Sequence, residues 1–337
     1  MAPLQPALGV IPYSDRMHAS VAALPAPLHA AYRSGGRHGE HRTDRWRRAP
    51  VVGAPEALSA TGGVDVASGS DFAVSATQML RLVHLCDATL PTGGFAHSGG
   101  LEAALQLGLL GRRGNANMHA SLREFGTAAV VSAAQQQIPF AVAAHARVAQ
   151  ALAQVGESAE GGMDAQAQQA LLHELETLNV QQHALLVANA PSCRASLQMG
   201  GAIARIAGTW VEASPREKHD GGAEQQRAAP MAARALKLRG GAHGAVALGA
   251  LAAVLGLPGN VLHTAFIYTS ARDQISAAVR LNLVGPLAAV SLQDEIVREA
   301  SARSSEILPH LEAAGSAPLL EAAHACHDLL ERRVFQT

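Results

Sequence analysis

The sequence predicts an all-α fold, a bundle of roughly eight to ten helices. Three observations lead there. Apolar residues make up 48% of the 337-residue chain but aromatics only 3%, and the apolar set is dominated by alanine, the best helix former. Valine and isoleucine never alternate with polar residues in the runs that mark strands. From Val74 onward, apolar residues recur three and four apart, and proline and glycine divide the chain into helix-length segments.

Residues 1–73 hold scattered prolines and glycines, no lasting apolar stripe, and a basic stretch with Arg42, Arg45, Arg47 and Arg48. They are expected to form a disordered or leader-like extension. Arginine-rich, acid-poor leaders can be organelle transit peptides, although Asp15, Glu40 and Asp44 count against targeting here. Residues 74–337 read as one helical domain.

Its first helix carries Met79, Val83, Cys86 and Leu90 on the face expected to be inward, with Gln78, Arg81, His84 and Asp87 opposite. Pro91 breaks it, and residues 91–100 form a glycine-rich turn. A second helix opens near Ser98 or Gly99 and points Leu101, Leu105 and Leu109 inward. After a loop at 111–114 comes a long helix with a kink expected at Pro139. A short polar insert follows at 156–164. Helices are then expected at 165–190 and 193–210, a mobile loop at 212–230, and helices at 231–255, 260–283, 286–302 and 318–333. Gly285 is expected to stop one helix just before Pro286 opens the next.

Composition excludes several function classes. A formal net charge of −1 and a pI near 7.0 give no basic field for nucleic acid. The longest charge-free apolar run, 245–257, is shorter than the roughly 18 residues a membrane span needs, so a buried helix is expected. Three scattered cysteines, Cys86, Cys193 and Cys326, fit neither a zinc spacing nor a disulfide framework and suit a reducing cytoplasm. No serine–histidine–aspartate, paired-carboxylate or cysteine–histidine spacing marks a catalyst. Among 16 histidines, His38 with His41, and His324 with Cys326 and His327, lie close in sequence. Neither group shows a further ligand, and no metal site is expected.

Two motifs stand out. The first, Leu90-Pro-Thr-Gly-Gly-Phe-Ala-His-Ser-Gly-Gly-Leu-Glu102, is a turn whose glycines permit positive φ and close backbone approach. Ser98 or Gly99 can cap the following helix, and Glu102 falls in its first turn, where the helix dipole favours an anion. The turn lacks the Gly-Lys-Ser/Thr ending of a phosphate-binding loop and the preceding strand of a dinucleotide site. An anion or nucleotide pocket is still the alternative reading, one that would make the chain an enzyme using residues 91–100. The second motif, Arg272–Leu287, carries an inward ridge of Ala271, Ile275 and Val279 and an opposite ridge of Arg272, Ser276 and Arg280. Two arginines on one ridge can grip carboxylates or phosphates. The plain alternative is a solvated face.

Pro91-x-Gly93-Gly94-Phe95-x-x-Ser98-x-Gly100-Leu101-Glu102 resembles the N-terminal signature of the UreF family, and Arg272–Leu287 closely resembles the C-terminal helix pair of its plant and green-algal members. Arg194-x-Ser196-x-x-x-Gly200, His243-Gly244 and the terminal segment Cys326–Phe335 are similar to further family blocks. The resemblance runs from Met79 to Thr337 and leaves out residues 1–73 and 212–230. It implies a UreF-like helical fold and a non-enzymatic, cytoplasmic chaperone subunit. It further implies a two-fold homodimer that binds UreD (also called UreH), recruits the GTPase UreG, and helps deliver nickel to apo-urease. No cofactor is implied, because nickel passes through the complex. Carried onto this sequence, Glu102, Arg194, Arg272 and Arg280 are expected on the partner-facing surface, with Phe335 in a tail that docks onto UreD. Pro91, Gly93, Gly94, Ser98, Gly100, Ser196, Gly200, His243, Asn282 and Gly285 are expected to support that surface.

Overall fold

Helix-favouring composition is realised throughout the described residues of the computed structural model, which are 74–110, 117–157, 165–213, 238, 241–306 and 309–337. They contain nine α-helices, three short 3-10 turns and no strand. The helices are α1 (Ala76–Leu85), α2 (Leu101–Gln106), α3 (Met118–Glu157), α4 (Ala165–Leu186), α5 (Ala190–Ala213), α6 (Gly244–Val254), α7 (Val261–Arg280), α8 (Pro286–Arg303) and α9 (Pro318–Ala325). The expected extension at 1–73 lies outside the described residues, as does all of the expected mobile loop except Glu212 and Ala213, which extend α5.

α3 is the axis of the fold. Its 40 residues continue through Pro139, at about 1.5 Å per residue, long enough to pass through two hydrophobic clusters. One cluster gathers Phe140, Ala144 and Val148 of α3 with Leu175 of α4, Ile203 of α5 and Val246, Ala250 and Leu251 of α6. The other gathers Leu122, Val130 and Ile138 of α3 with Leu101 of α2, Ile267, Ala271 and Ile275 of α7 and Leu292 and Ile296 of α8. The inward ridge expected on α7 is thus largely confirmed, with Ala271 and Ile275 buried and Val279 packed at the margin.

α6 is apolar on every side and buried on nearly every side, as a helix without a polar face must be. The buried-helix reading of residues 245–257 therefore holds, and among the described residues no helix is long and apolar enough to cross a membrane. α6 begins at Gly244, with His243 as its N-cap residue. Two glycines allow its close packing. A Cβ on Gly249 would sit 1.9 Å from the Ala141 carbonyl oxygen of α3, and one on Gly200 of α5 would sit 1.9 Å from the Ala242 carbonyl oxygen.

α1 docks with a face other than the one expected, although of the expected inward set Leu90, just past the helix, is buried and Cys86 half-buried, and His84 and Asp87 point outward as expected. Leu85 is buried and Leu82 half-buried, whereas Met79, Leu80 and Val83 are exposed. The reason is polar. The carbonyls at the C-terminal end of α6 have no partner within their own helix. Gln78 Nε2 donates to Gly256 O at 2.7 Å and an Arg81 guanidinium nitrogen donates to Leu255 O at 2.6 Å. Gln78 also closes a capping box with Ser75 at the start of α1.

The turn between α7 and α8 corrects a second expectation. The stop is made by Asn282, with φ 56°, the one non-glycine residue at positive φ among the described residues. Asparagine tolerates this left-handed position after a helix better than most residues. Gly285, at φ −76°, is instead the N-cap residue of α8, and Pro286 fills the first helical position.

Candidate functional site

The glycine-rich turn, the start of α2 and the last residues of the chain assemble into one clasp. Gly93 (φ 84°) opens the 3-10 turn Gly94–Ala96, and Gly100 (φ 85°) opens α2. Gly94 packs against Asp273: a Cβ there would lie 2.2 Å from Asp273 Oδ2, so the carboxylate would have to shift to admit one. Glu102, in the first turn of α2, is 1% exposed. One carboxylate oxygen accepts from the backbone amide of Val334 at 2.7 Å, and the other accepts from Phe335 at 3.1 Å and lies 3.3 Å from His327 Nε2. The tail then runs back along the turn. Gln336 N donates to Ala96 O at 2.9 Å, Ser98 N donates to Thr337 O at 2.7 Å, and His97 Nδ1 lies 2.7 Å from Thr337 Oγ1. Phe335 is buried beneath the Arg280 guanidinium, 4.4 Å from its ring centroid. Phe95, largely exposed, lies 5.7 Å from the same cation.

Several expected surface residues are corrected by this geometry. Glu102 cannot face a partner, because it is buried and its oxygens are taken by the tail amides and His327. Phe335 is not free to dock elsewhere while it fills the chain's own cluster with Leu101, Leu281 and Leu320. Arg272 is turned inward: two of its nitrogens donate to Asp273 Oδ1 at 2.9 and 2.7 Å, and a third donates to Cys86 O. Burial raises the Asp273 pKa, opposed by the neighbouring Arg272 charge. Arg194 is half-exposed and pairs with Asp328 at 2.6 Å, which Arg333 also approaches at 3.6 Å. Arg280 remains exposed, its guanidinium near both phenyl rings.

The supporting motifs meet one another. Ser196 and Gly200, one turn apart on α5, face the His243-Gly244 segment. Ser196 Oγ accepts from Gly244 N at 3.1 Å and lies 3.0 Å from His243 Nδ1. Asn179 of α4 holds the same segment from the other side, accepting from His243 N at 2.7 Å and donating to Gly241 O at 2.9 Å.

The expected absence of convergent metal ligands near His324, Cys326 and His327 is only part of the picture. His327 turns to Glu102, and the donors that do converge among the described residues are His183, Cys193 and His243, which no local spacing announces. His38 and His41 lie outside the described residues.

Burial holds His97 and His324 neutral, each with its pKa pushed down to about 4, and the adjacent His327 acts in the same direction. In the unfolded chain such histidines take up protons near their ordinary value of about 6.5. Between those values the unfolded state binds more protons. The stability linked to the neutral rings is therefore whole above about pH 6.5 and is lost as pH falls toward about 4. Thermal melts should give a lower midpoint at about pH 5 than at about pH 7.5. An unchanged midpoint would show that these rings do not set acid stability.

A family model described as UreF matches residues 117–297. The chain is 30% identical over 254 residues to Urease accessory protein F of Arabidopsis thaliana, covering 74% of this chain and 89% of the relative. It is 29% identical over 255 residues to proteins of the same name from Oryza sativa subsp. indica and subsp. japonica, covering 75% of this chain and 83% of each relative.

Proposed function

The chain belongs to the UreF family, and from that membership we propose that it is a non-enzymatic accessory protein of urease maturation, a helical scaffold on which other maturation proteins assemble. In this reading the chain forms a two-fold homodimer, binds UreD, recruits the nickel-carrying GTPase UreG, and thereby supports nickel delivery to apo-urease. It works in the cytoplasm, has no cofactor of its own, and passes nickel on within the complex.

The observation that best supports a docking role is the use made of the glycine-rich turn. Four backbone amides of the turn are engaged by the chain itself: Ser98 N by Thr337 O, and those of Ala96, His97 and Leu101 by turn carbonyls. The turn is a seat for the tail, and the two together present Phe95, Arg280 and Val334 outward. Exposed apolar side chains elsewhere, Leu80 and Val83 on α1 and Leu287 and Val290 on α8, add surface that can be buried against partners. A stable two-fold interface uses one patch on both subunits and hides about 1,600 Å² in total.

The alternative, a small-molecule or nucleotide enzyme, has one observation in its favour. A cleft of about 270 Å³ lies beneath the turn, lined in part by His97, Asp273, Gln274 and His324. Gln274 Oε1 and His324 Nε2 are buried there without a hydrogen-bond partner. Its volume falls just under the roughly 300–1,000 Å³ usual for ligand pockets.

Co-purification of the full chain with UreD and UreG, with and without GTP and nickel, tests the scaffold reading. Retention of both partners supports it, whereas failure of either to associate, or turnover of a small molecule by the purified chain, overturns it. Within that experiment Arg280→Glu is expected to lose UreG while the dimer persists on light scattering, because it reverses an exposed charge over the clasp. Unchanged recruitment would make Arg280 a solvated residue and nothing more.

A further inference from the structure

Three side chains from three helices converge at the junction of α4, α5 and the start of α6. His183 Nδ1 lies 3.2 Å from His243 Nε2 and 3.6 Å from Cys193 Sγ, and the three donor atoms all fall within 4.8 Å of one another. His243 and Cys193 are buried, while His183 stands at the surface and leaves one side of the cluster open.

The spacing is what suggests a ligand. Around a tetrahedral ion with metal–nitrogen bonds of about 2.05 Å and a metal–sulfur bond of about 2.3 Å, two nitrogens sit about 3.3 Å apart and nitrogen and sulfur about 3.6 Å apart. The two separations seen here match those values. We propose that His183, Cys193 and His243 form a binding site for one divalent transition-metal ion of the zinc and nickel class, with a fourth position left open on the His183 side. The proposal revises the expectation of no metal site. It stands on donor geometry and is independent of the role in urease maturation.

The surroundings fit the assignment. Imidazole and thiolate donors favour borderline-soft ions, and hard cations such as magnesium and calcium require oxygen ligands. Ligating histidines ordinarily have their second nitrogen held by a hydrogen bond that fixes the tautomer. For His243 this is Ser196 Oγ, 3.0 Å from Nδ1. The hydroxyl can accept both Gly244 N–H and Nδ1–H, which leaves the Nε2 lone pair aimed at His183. The backbone beneath is fixed by Asn179, so the buried half of the site is already in place. Metal entry replaces the His183–His243 hydrogen bond. His183 shifts its ring proton from Nδ1 to Nε2, the Cys193 thiol proton leaves to solvent as the sulfur–metal bond forms, and each ion bound releases one proton.

The test is titration of the reduced full chain with Co²⁺, whose thiolate charge-transfer absorption reports the sulfur bond directly. One equivalent should bind with that absorption and release one proton. Cys193→Ser should abolish the band, and His183→Ala should weaken binding at least tenfold. Ser196→Ala should weaken it about 10- to 100-fold through the lost hydrogen bond to His243. Cys326→Ser should leave the band intact. Displacement of cobalt by Zn²⁺ or by Ni²⁺ identifies the ion, and either result upholds the site. Absence of the band in the unsubstituted chain, its survival in Cys193→Ser, undiminished cobalt affinity in His183→Ala, or loss of the band in Cys326→Ser overturns the proposal. Should Cys193→Ser fail to fold, His183→Ala, a change at the surface, decides alone.

Discussion

A Gly249→Ala chain is expected to lose a large part of its stability, although the same change in an ordinary helix interior stabilises by about 0.5–1 kcal/mol. The sign reverses because the added carbon has nowhere to go. It would lie 1.9 Å from the carbonyl oxygen, 2.7 Å from the carbonyl carbon and 2.9 Å from the Cα of Ala141. All three are backbone atoms of α3, so no side-chain rotation relieves the clash. α6 must move away from α3 along their common seam, opening gaps among Ala144, Val246 and Ala250 in an interior that tolerates neither overlap nor voids. A cost of about 4 kcal/mol belongs to the severe end of single substitutions. It is a large part of the roughly 5–15 kcal/mol that holds a typical domain together. Gly200→Ala should behave similarly against Ala242. Gly208→Ala, also in α5 but with no atom near the added carbon, is the control and should be neutral or slightly stabilising. Urea unfolding followed by circular dichroism measures all three. A Gly249→Ala midpoint equal to that of the unsubstituted chain would mean that the seam is not tight.

Removing the Glu102 carboxylate comes second in size. In Glu102→Ala the amides of Val334 and Phe335 and the Nε2 of His327 lose their acceptor together. A buried donor left without a partner costs about 1–3 kcal/mol. These effects share atoms and do not add, so about 3–4 kcal/mol is expected overall. For a chain of this size that corresponds to a fall in melting temperature of roughly 10 °C. The tail should also come free of the turn. Cleavage by trypsin after Arg332 and Arg333 should accelerate, while the helical signal of the remaining chain persists below its midpoint. Glu102→Gln, which keeps an acceptor oxygen, should fall between. Equal resistance to trypsin in all three proteins would show that the tail is held by something else. Because Phe335 lies under Arg280, release of the tail should also disturb the surface proposed to receive UreG.

How far such features could be read from the sequence depends on how far apart the cooperating residues lie. Helices declared by composition and punctuation were legible. α6 could be recognised as buried because it has no polar side, and Pro286 marks the start of α8 because its ring suits a first helical position. The docking face of α1 was not legible. Its apolar residues repeat with helical period, but periodicity does not show that the unpaired carbonyls of Leu255 and Gly256 would draw Gln78 and Arg81 to the inner side. Glu102 presented itself as a helix-start anion, and so it is, yet its partners lie more than 220 residues away. The arginines of α7 showed the same difficulty: one period, two fates, with Arg272 drawn down to Asp273 and Arg280 left outside. His183, Cys193 and His243 are brought together only by the packing of three helices, and their spacing along the chain resembles no ligand motif.

The enclosure of α6 has a bearing on how the molecule breathes. Amide protons exchange with solvent through openings whose free energy ranges from near zero at frayed ends to that of complete unfolding in the most enclosed elements. A segment surrounded by α3, α4 and α5, with its carbonyl end tied down by α1, has no small fluctuation that would wet it. In deuterated water, the amides of Ala247 through Leu251 should be the last to take up label and should do so together, at the rate set by global opening, long after those of the outer helices have equilibrated.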